Sequence, residues 1–84
     1  MLETGVWCEI KVDKEHLRLF SEENAQGVQV SVYNVRTKEW IVPSEEVNDI
    51  EDGKDKAIRY ATAYLKQASN ADLPRLTWKQ SRSK

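Results

Sequence analysis

The sequence has few of the residues that form cross-links and metal centres. Among its 84 residues there is one cysteine, Cys8, and one histidine, His16. An intrachain disulfide needs two cysteines, and a structural zinc site takes about four cysteine or histidine ligands at close spacing. The sequence therefore excludes a disulfide scaffold, and it predicts no bound metal and no cofactor.

Long apolar runs are also missing. No stretch approaches the roughly 20 apolar residues of a membrane-spanning helix. The opening residues Met1-Leu2-Glu3-Thr4 have neither the basic nor the apolar part of a signal peptide. We therefore expect a cytoplasmic protein without membrane contact. A chain of 84 residues has room for one small domain, which we place at residues 1–80, followed by a frayed basic tail at 81–84.

Recognisable catalytic motifs are absent as well. The three glycines, Gly5, Gly27 and Gly53, stand too far apart to form a phosphate-binding loop. His16 is the only imidazole that could activate a nucleophile, and the strand pattern places it on the opposite face from Cys8. The sequence therefore predicts a binding protein and not an enzyme.

Charge is nearly balanced overall but unevenly distributed. The chain has 13 basic and 14 acidic residues, a formal net charge of -1. Residues 1–58 contain 7 basic and 13 acidic residues, net -6, whereas residues 59–84 contain 6 basic and 1 acidic residue, net +5. The basic residues near the end are Arg75, Lys79, Arg82 and Lys84. This distribution argues against a protein that binds nucleic acid over its whole surface, but it leaves the basic tail as a candidate contact.

Alternating apolar and polar residues predict a hairpin near the start of the chain. Residues 6–12 and 16–20 each alternate with period two. Pairing them across Asp13-Lys14 sets Glu9 opposite Arg18 and apolar side chains opposite one another on the other face. An alternative reading makes residues 14–26 a helix that ends at Gly27, which would give a ferredoxin-like β-α-β-β-α-β fold.

Two further strands follow a predicted polar loop at residues 21–27. Residues 28–33 alternate valine with polar residues or tyrosine, and residues 40–42 are apolar. Pro43 cannot donate to a ladder, so it either ends the second of these strands or places it at a sheet edge. If Val35 lies opposite Trp40, then Tyr33 lies opposite Val42.

A helix is predicted after these strands, with Asp52 as its N-cap and Asn70 near its end. One extra helical turn is expected at 44–49. The apolar stripe comprises Ala57, Ile58, Ala61, Tyr64, Leu65 and Ala68. Residues 75–79 alternate briefly, and Leu76 and Trp78 should be anchored to the fold. The predicted fold class is thus α+β: an antiparallel meander of three or four strands, one amphipathic helix packed on the sheet, and a short C-terminal strand.

The candidate functional site is the sheet face that the helix leaves open. If the alternating valines face the helix, the opposite face carries Trp7, Arg18, Phe20, Tyr33 and Trp40. So much apolar surface is seldom left uncovered. The cover could be the chain's own Leu76 and Trp78, a protein partner or second copy, or single-stranded nucleic acid stacked on the rings. We expect a small binding or regulatory domain that acts through protein contact or self-association, with nucleic-acid binding through this face and the basic tail as the alternative.

Overall fold

The sheet is an antiparallel meander with a single helix against one face. A computed structural model of the chain describes residues 4–82. The elements are β1 (Thr4–Val12), β2 (Glu15–Asn24), β3 (Gly27–Asn34), β4 (Glu39–Val47), α1 (Ile50–Ser69) and β5 (Lys79–Arg82). In the five-stranded sheet the order is β4-β3-β2-β1-β5. This confirms the predicted α+β meander, and β2 occupies the segment that the ferredoxin-like alternative made a helix.

The hairpin of β1 and β2 has the predicted register. Glu9 lies opposite Arg18, and Ile10 lies opposite Leu17. The turn is the two-residue pair Asp13-Lys14, and Asp13 has a φ of 54°. A positive φ at the first turn residue matches the twist of paired strands, and aspartate tolerates this conformation better than most residues.

Strand β2 is longer than predicted, and the expected polar loop at 21–27 is wrong. The strand continues to Asn24, and only two residues separate it from Gly27, which has a φ of 124°. Ser21 is fully buried beneath the helix, where its hydroxyl donates a 2.8 Å hydrogen bond to the Ile50 carbonyl. A partner that lies far away in sequence thus allows a polar residue to continue the strand.

The pairing of β3 with β4 differs from the prediction near the loop. Tyr33 lies opposite Trp40, not Val42, and two irregularities interrupt the ladder. The loop closes one residue early because the Thr37 N–H donates to the Asn34 side chain and the Lys38 N–H donates to the Asn34 carbonyl. Pro43 lies within β4, which is an edge strand, so the edge alternative is confirmed.

The helix begins earlier than predicted. Asp49, not Asp52, is the N-cap, and its side chain accepts the Asp52 N–H. The expected helical turn at 44–49 is wrong, because β4 extends to Val47 and Asp49 caps the helix. Asn70 ends the helix in the left-handed conformation, in agreement with the prediction.

Small residues on α1 bring the helix close to the sheet. Its buried residues recur every four positions: Gly53, Ala57, Ala61 and Leu65. The rest of the predicted stripe is only partly right, since Ala68 is exposed while Ile58 and Tyr64 are half-buried. From the sheet, the buried apolar residues are Cys8, Ile10, Leu17, Leu19, Val28, Val30, Val32 and Val47. This core lies wholly between the sheet and the helix.

The last strand begins later than the alternation at 75–79 predicts. β5 starts at Lys79 and pairs with β1 over Thr4–Trp7. Leu76 and Trp78 pack against the core, as expected. The backbone of residues 81 and 82 belongs to β5, and residues 83 and 84 of the predicted tail lie outside the described part of the chain.

Cys8 should be unreactive in the folded protein. It is fully buried, and this burial raises the pKa of its thiol to about 11. The reactive species is the thiolate, so alkylation near neutral pH should be slow. We expect iodoacetamide to label Cys8 only after denaturant unfolds the chain, as followed by intact mass. Rapid labelling of the native protein would contradict this placement in the core.

Candidate functional site

The helix covers one face of the sheet and leaves the other uncovered by any described element. Ile10, Leu17 and Val32 point to the helix and are almost completely buried. Their strand neighbours therefore point away from the helix. We call this second surface the open face, and its candidate binding residues are Trp7, Arg18, Phe20, Tyr33 and Trp40. The helix thus covers the face with the alternating valines, which is the condition under which the sequence predicts these five residues on the opposite face.

Three aromatic side chains form a connected cluster on the open face. The ring centroid of Trp40 lies 4.7 Å from that of Tyr33 and 6.1 Å from that of Phe20, both in tilted arrangements. The register brings them together, because Tyr33 pairs with Trp40 across β3 and β4. Trp40 stays 51% exposed, unusual for so large an apolar side chain.

Trp7 lies beside this cluster and between two cations. The Arg18 guanidinium carbon is 5.9 Å from the centroid of the Trp7 ring, and the Lys79 ammonium is 5.3 Å from it. Both are within the range of a cation–π interaction. Trp7 also pairs with Phe20 across β1 and β2, so it joins the aromatic cluster to the basic end of the chain.

Glu9 organises the charged border of the open face. Its Oε2 atom accepts a 3.0 Å hydrogen bond from Arg18 and lies 2.6 Å from His16 Nε2. The hydrogen bond with His16 has the largest effect on the Glu9 carboxyl and the one from Arg18 the next largest, and together they hold its pKa below the usual value. The carboxylate therefore stays ionised in mildly acidic solution, and it helps to orient the Arg18 side chain beside Trp7.

Leu76 and Trp78 do not cover the open face. Leu76 and Trp78 pack against the core on the helix side, and the Lys54 ammonium lies 5.5 Å from the Trp78 ring. That candidate cover is wrong because Trp78 directly precedes Lys79, whose side chain reaches the open face. The two remaining candidates are a polypeptide and a nucleic acid.

Among the residues of the predicted basic tail whose side chains the structure describes, Lys79 contacts the open face. Lys79 does so through its contact with Trp7. Arg75 is exposed in the segment between α1 and β5. The side chain of Arg82 and all of Lys84 lie outside the described residues, so their part in a contact stays a prediction.

A buried polar cluster at the other end of the sheet was not predicted. Glu15 is 6% exposed and accepts hydrogen bonds from Tyr64 at 3.0 Å, Ser69 at 3.3 Å and Arg36 at 3.3 Å. Asn34 donates to the Tyr64 hydroxyl at 2.8 Å. The partners come from three separate parts of the chain, so no local pattern reveals them. The cluster fastens the end of α1 to the sheet, and every polar group named here has a partner.

Searches against known proteins found no likeness. No family model matches the chain, no curated protein matches it, and no solved structure matches it. Among residues 4–82, no three histidine, cysteine or acidic side chains come together as a metal site. No helix in the same range is long and apolar enough to cross a membrane.

Proposed function

We propose that this chain is a small non-catalytic binding domain that docks a polypeptide on its open face. The observation that supports the proposal is the half-exposed Trp40 in contact with Tyr33 and Phe20. Binding energy at protein interfaces concentrates in a few tryptophan, tyrosine and arginine side chains near the centre of the contact. The open face offers this composition on a rigid sheet, so a partner would gain apolar contact at little cost in side-chain ordering.

The second candidate function is the binding of single-stranded nucleic acid. It is favoured by the placement of Trp7 between Arg18 and Lys79, because bases stack on aromatic rings while cations contact phosphates. Against it stand the formal net charge of -1 and the glutamate at the border of the face. A positively charged groove is the usual requirement for binding without sequence preference.

The double variant Tyr33→Ser/Trp40→Ser tests the docking surface. Both residues point away from the core, so we expect the fold to survive with a small loss of stability, visible in a circular dichroism melt. We expect binding to fall at least about 100-fold, since two central aromatic anchors are removed. The measurement compares proteins retained from a lysate by the parent chain and by the variant, followed by calorimetric titration with the purified partner.

The control variant is Arg59→Ser/Lys66→Ser, which changes two exposed residues of α1. It should bind like the parent. Undiminished binding by the Tyr33→Ser/Trp40→Ser variant would rule out the open face as the docking surface. Binding of a single-stranded oligonucleotide that falls steeply between about 50 and 200 mM salt would instead support the second candidate.

A further inference from the structure

Strand β1 is paired on one side along its whole length, but on its outer side the described strands pair with only its first half. β2 pairs with β1 along all of Thr4–Val12, whereas β5 pairs with it only over Thr4–Trp7. Within residues 4–82, no strand lies beside the outer edge of residues 8–12. Unpaired strand edges are templates for pairing with another chain.

The backbone groups along this edge can be assigned from the ladder. The His16 carbonyl accepts a 2.8 Å hydrogen bond from the Val35 N–H, so the backbone of His16 faces β3. In an antiparallel ladder, a residue directs both of its backbone groups to the same side, and the side alternates along the strand. Lys11, which lies opposite His16, therefore directs its N–H and C=O outward, and Glu9 does the same.

We propose that the outer edge of residues 8–12 pairs antiparallel with the same edge of a second copy of the chain, about a two-fold axis at Ile10. This register sets Glu9 opposite Lys11 of the second copy, and Lys11 opposite Glu9 of the second copy. Both outward-facing residues then exchange backbone hydrogen bonds. Opposite charges in facing positions stabilise the pairing, and the same register sets Ile10 against Ile10 on the helix side.

The length of the open edge fits this occupant. β1 ends at Val12 and turns at Asp13, so a second copy offers five residues, 8–12, for the five that are open. The ladder of β5 with β1 stops at the pair of Trp7 and Lys79, so β5 does not pair with Cys8, and the Trp78 side chain packs against the core near Lys54. A two-fold axis perpendicular to the sheet keeps both open faces on the same side of the joined sheets.

The other long edge of the sheet is unsuited to a second copy. β4 contains Pro43, which cannot donate a hydrogen bond, and its ladder with β3 is irregular. It also contains three glutamates and no basic residue, so pairing it with itself brings like charges together. These are common protections of an exposed edge. Residues 8–12 contain no proline, their ladder with β2 is regular, and their two charged residues, Glu9 and Lys11, are of opposite sign.

Sedimentation equilibrium of the full chain tests the proposal. The parent chain should dimerise, and both Lys11→Glu and Glu9→Lys should weaken dimerisation about tenfold or more, because two facing pairs become like-charged in each. An equimolar mixture of the two variants should restore the dimer, since every facing pair is then of opposite sign. The control Lys14→Glu makes the same charge change at the exposed turn, outside the paired segment, and should dimerise like the parent.

Circular dichroism melts of each variant identify any that fail to fold. Lys11→Gln, which removes one charge without reversing it, then replaces Lys11→Glu and should give a smaller loss. A parent chain that stays monomeric up to about 1 mM overturns the proposal. So does equal weakening by Lys11→Glu and Lys14→Glu, or a mixture that stays monomeric.

The edge and the open face are separable in this experiment. If Tyr33→Ser/Trp40→Ser abolishes the dimer while Lys11→Glu retains it, the copies meet through the open face, which overturns the edge pairing but agrees with the proposed docking function. If Lys11→Glu abolishes the dimer and the aromatic variant retains it, the edge pairing holds whatever becomes of the docking function.

Discussion

Gly53→Ala should destabilise the fold by about 2 kcal/mol, although alanine is the better helix former. A Cβ atom at this position would lie 2.1 Å from Ser21 Oγ and 3.0 Å from Ser21 Cβ. Ser21 is fully buried, so it can move only by disturbing its neighbours. Overpacking costs about 1 to 3 kcal/mol and loss of the hydrogen bond to Ile50 about 1, against a gain of up to about 1 in helix propensity. Urea denaturation measures the difference.

A double-mutant cycle separates this clash from other causes. Ser21→Ala alone loses the hydrogen bond to Ile50, at a cost of about 1 kcal/mol. Because Ser21→Ala also removes the atom nearest the new Cβ, Gly53→Ala/Ser21→Ala should be more stable than the sum of the two single effects predicts. Additive effects would mean that the helix does not approach the sheet this closely at Gly53.

Glu15→Ala should cost about 3 kcal/mol of unfolding free energy. The substitution leaves the Tyr64 and Ser69 hydroxyls and one Arg36 nitrogen without the carboxylate that accepts from them. Removing one partner of a buried charged network typically costs about 3 to 5 kcal/mol, and the half-exposed Arg36 places this case at the lower end. Urea denaturation is again the measurement. Glu51→Ala is the control, because that side chain is 81% exposed and should cost little.

The same carboxylate should make the fold sensitive to acid. Burial raises the pKa of Glu15, but hydrogen bonds from Tyr64 and Arg36 outweigh it, so the pKa lies below the ordinary value of 4.5. A pKa that is lower in the folded state stabilises the fold above pH 4.5, and this contribution is lost as pH falls through the folded value. Glu15→Gln should therefore flatten the fall in stability below that pH. An acid profile identical to that of the parent would contradict this.

The sequence predicts the first hairpin because the side chains on both faces of the sheet constrain its register. Pairing Glu9 with Arg18 satisfied one face, and pairing Ile10 with Leu17 satisfied the other, so a slip of one residue would have broken both. The same alternation separates the side chains into two faces, and the structure shows that the helix covers the face with the valines. Alternation therefore predicts that the candidate residues share one face of the sheet.

Two features of the fold that the sequence did not predict depend on contacts between residues far apart in the chain. Ser21 lies in a strand because the Ile50 carbonyl accepts its hydroxyl. The pairing of Tyr33 with Trp40, by contrast, depends on a local contact, in which the Asn34 side chain accepts the Thr37 N–H and closes the loop. Glu15 is buried because Tyr64 and Ser69 approach it from the helix. The partners of Ser21 and Glu15 lie outside the local window from which periodicity is read.

The order of strands in the sheet has a consequence for how the chain folds. β1, β2 and β3 each pair with the next strand along the chain, so these contacts close short loops, whereas β5 reaches back to β1 and joins Thr4 to Arg82. Closing that long loop costs more conformational entropy, and within residues 4–82 the β1–β5 ladder offsets it with four residue pairs. β5 should therefore dock after the hairpins form and open before they melt. When it opens, the edge of β1 that is free to meet another strand lengthens from residues 8–12 to the whole of β1.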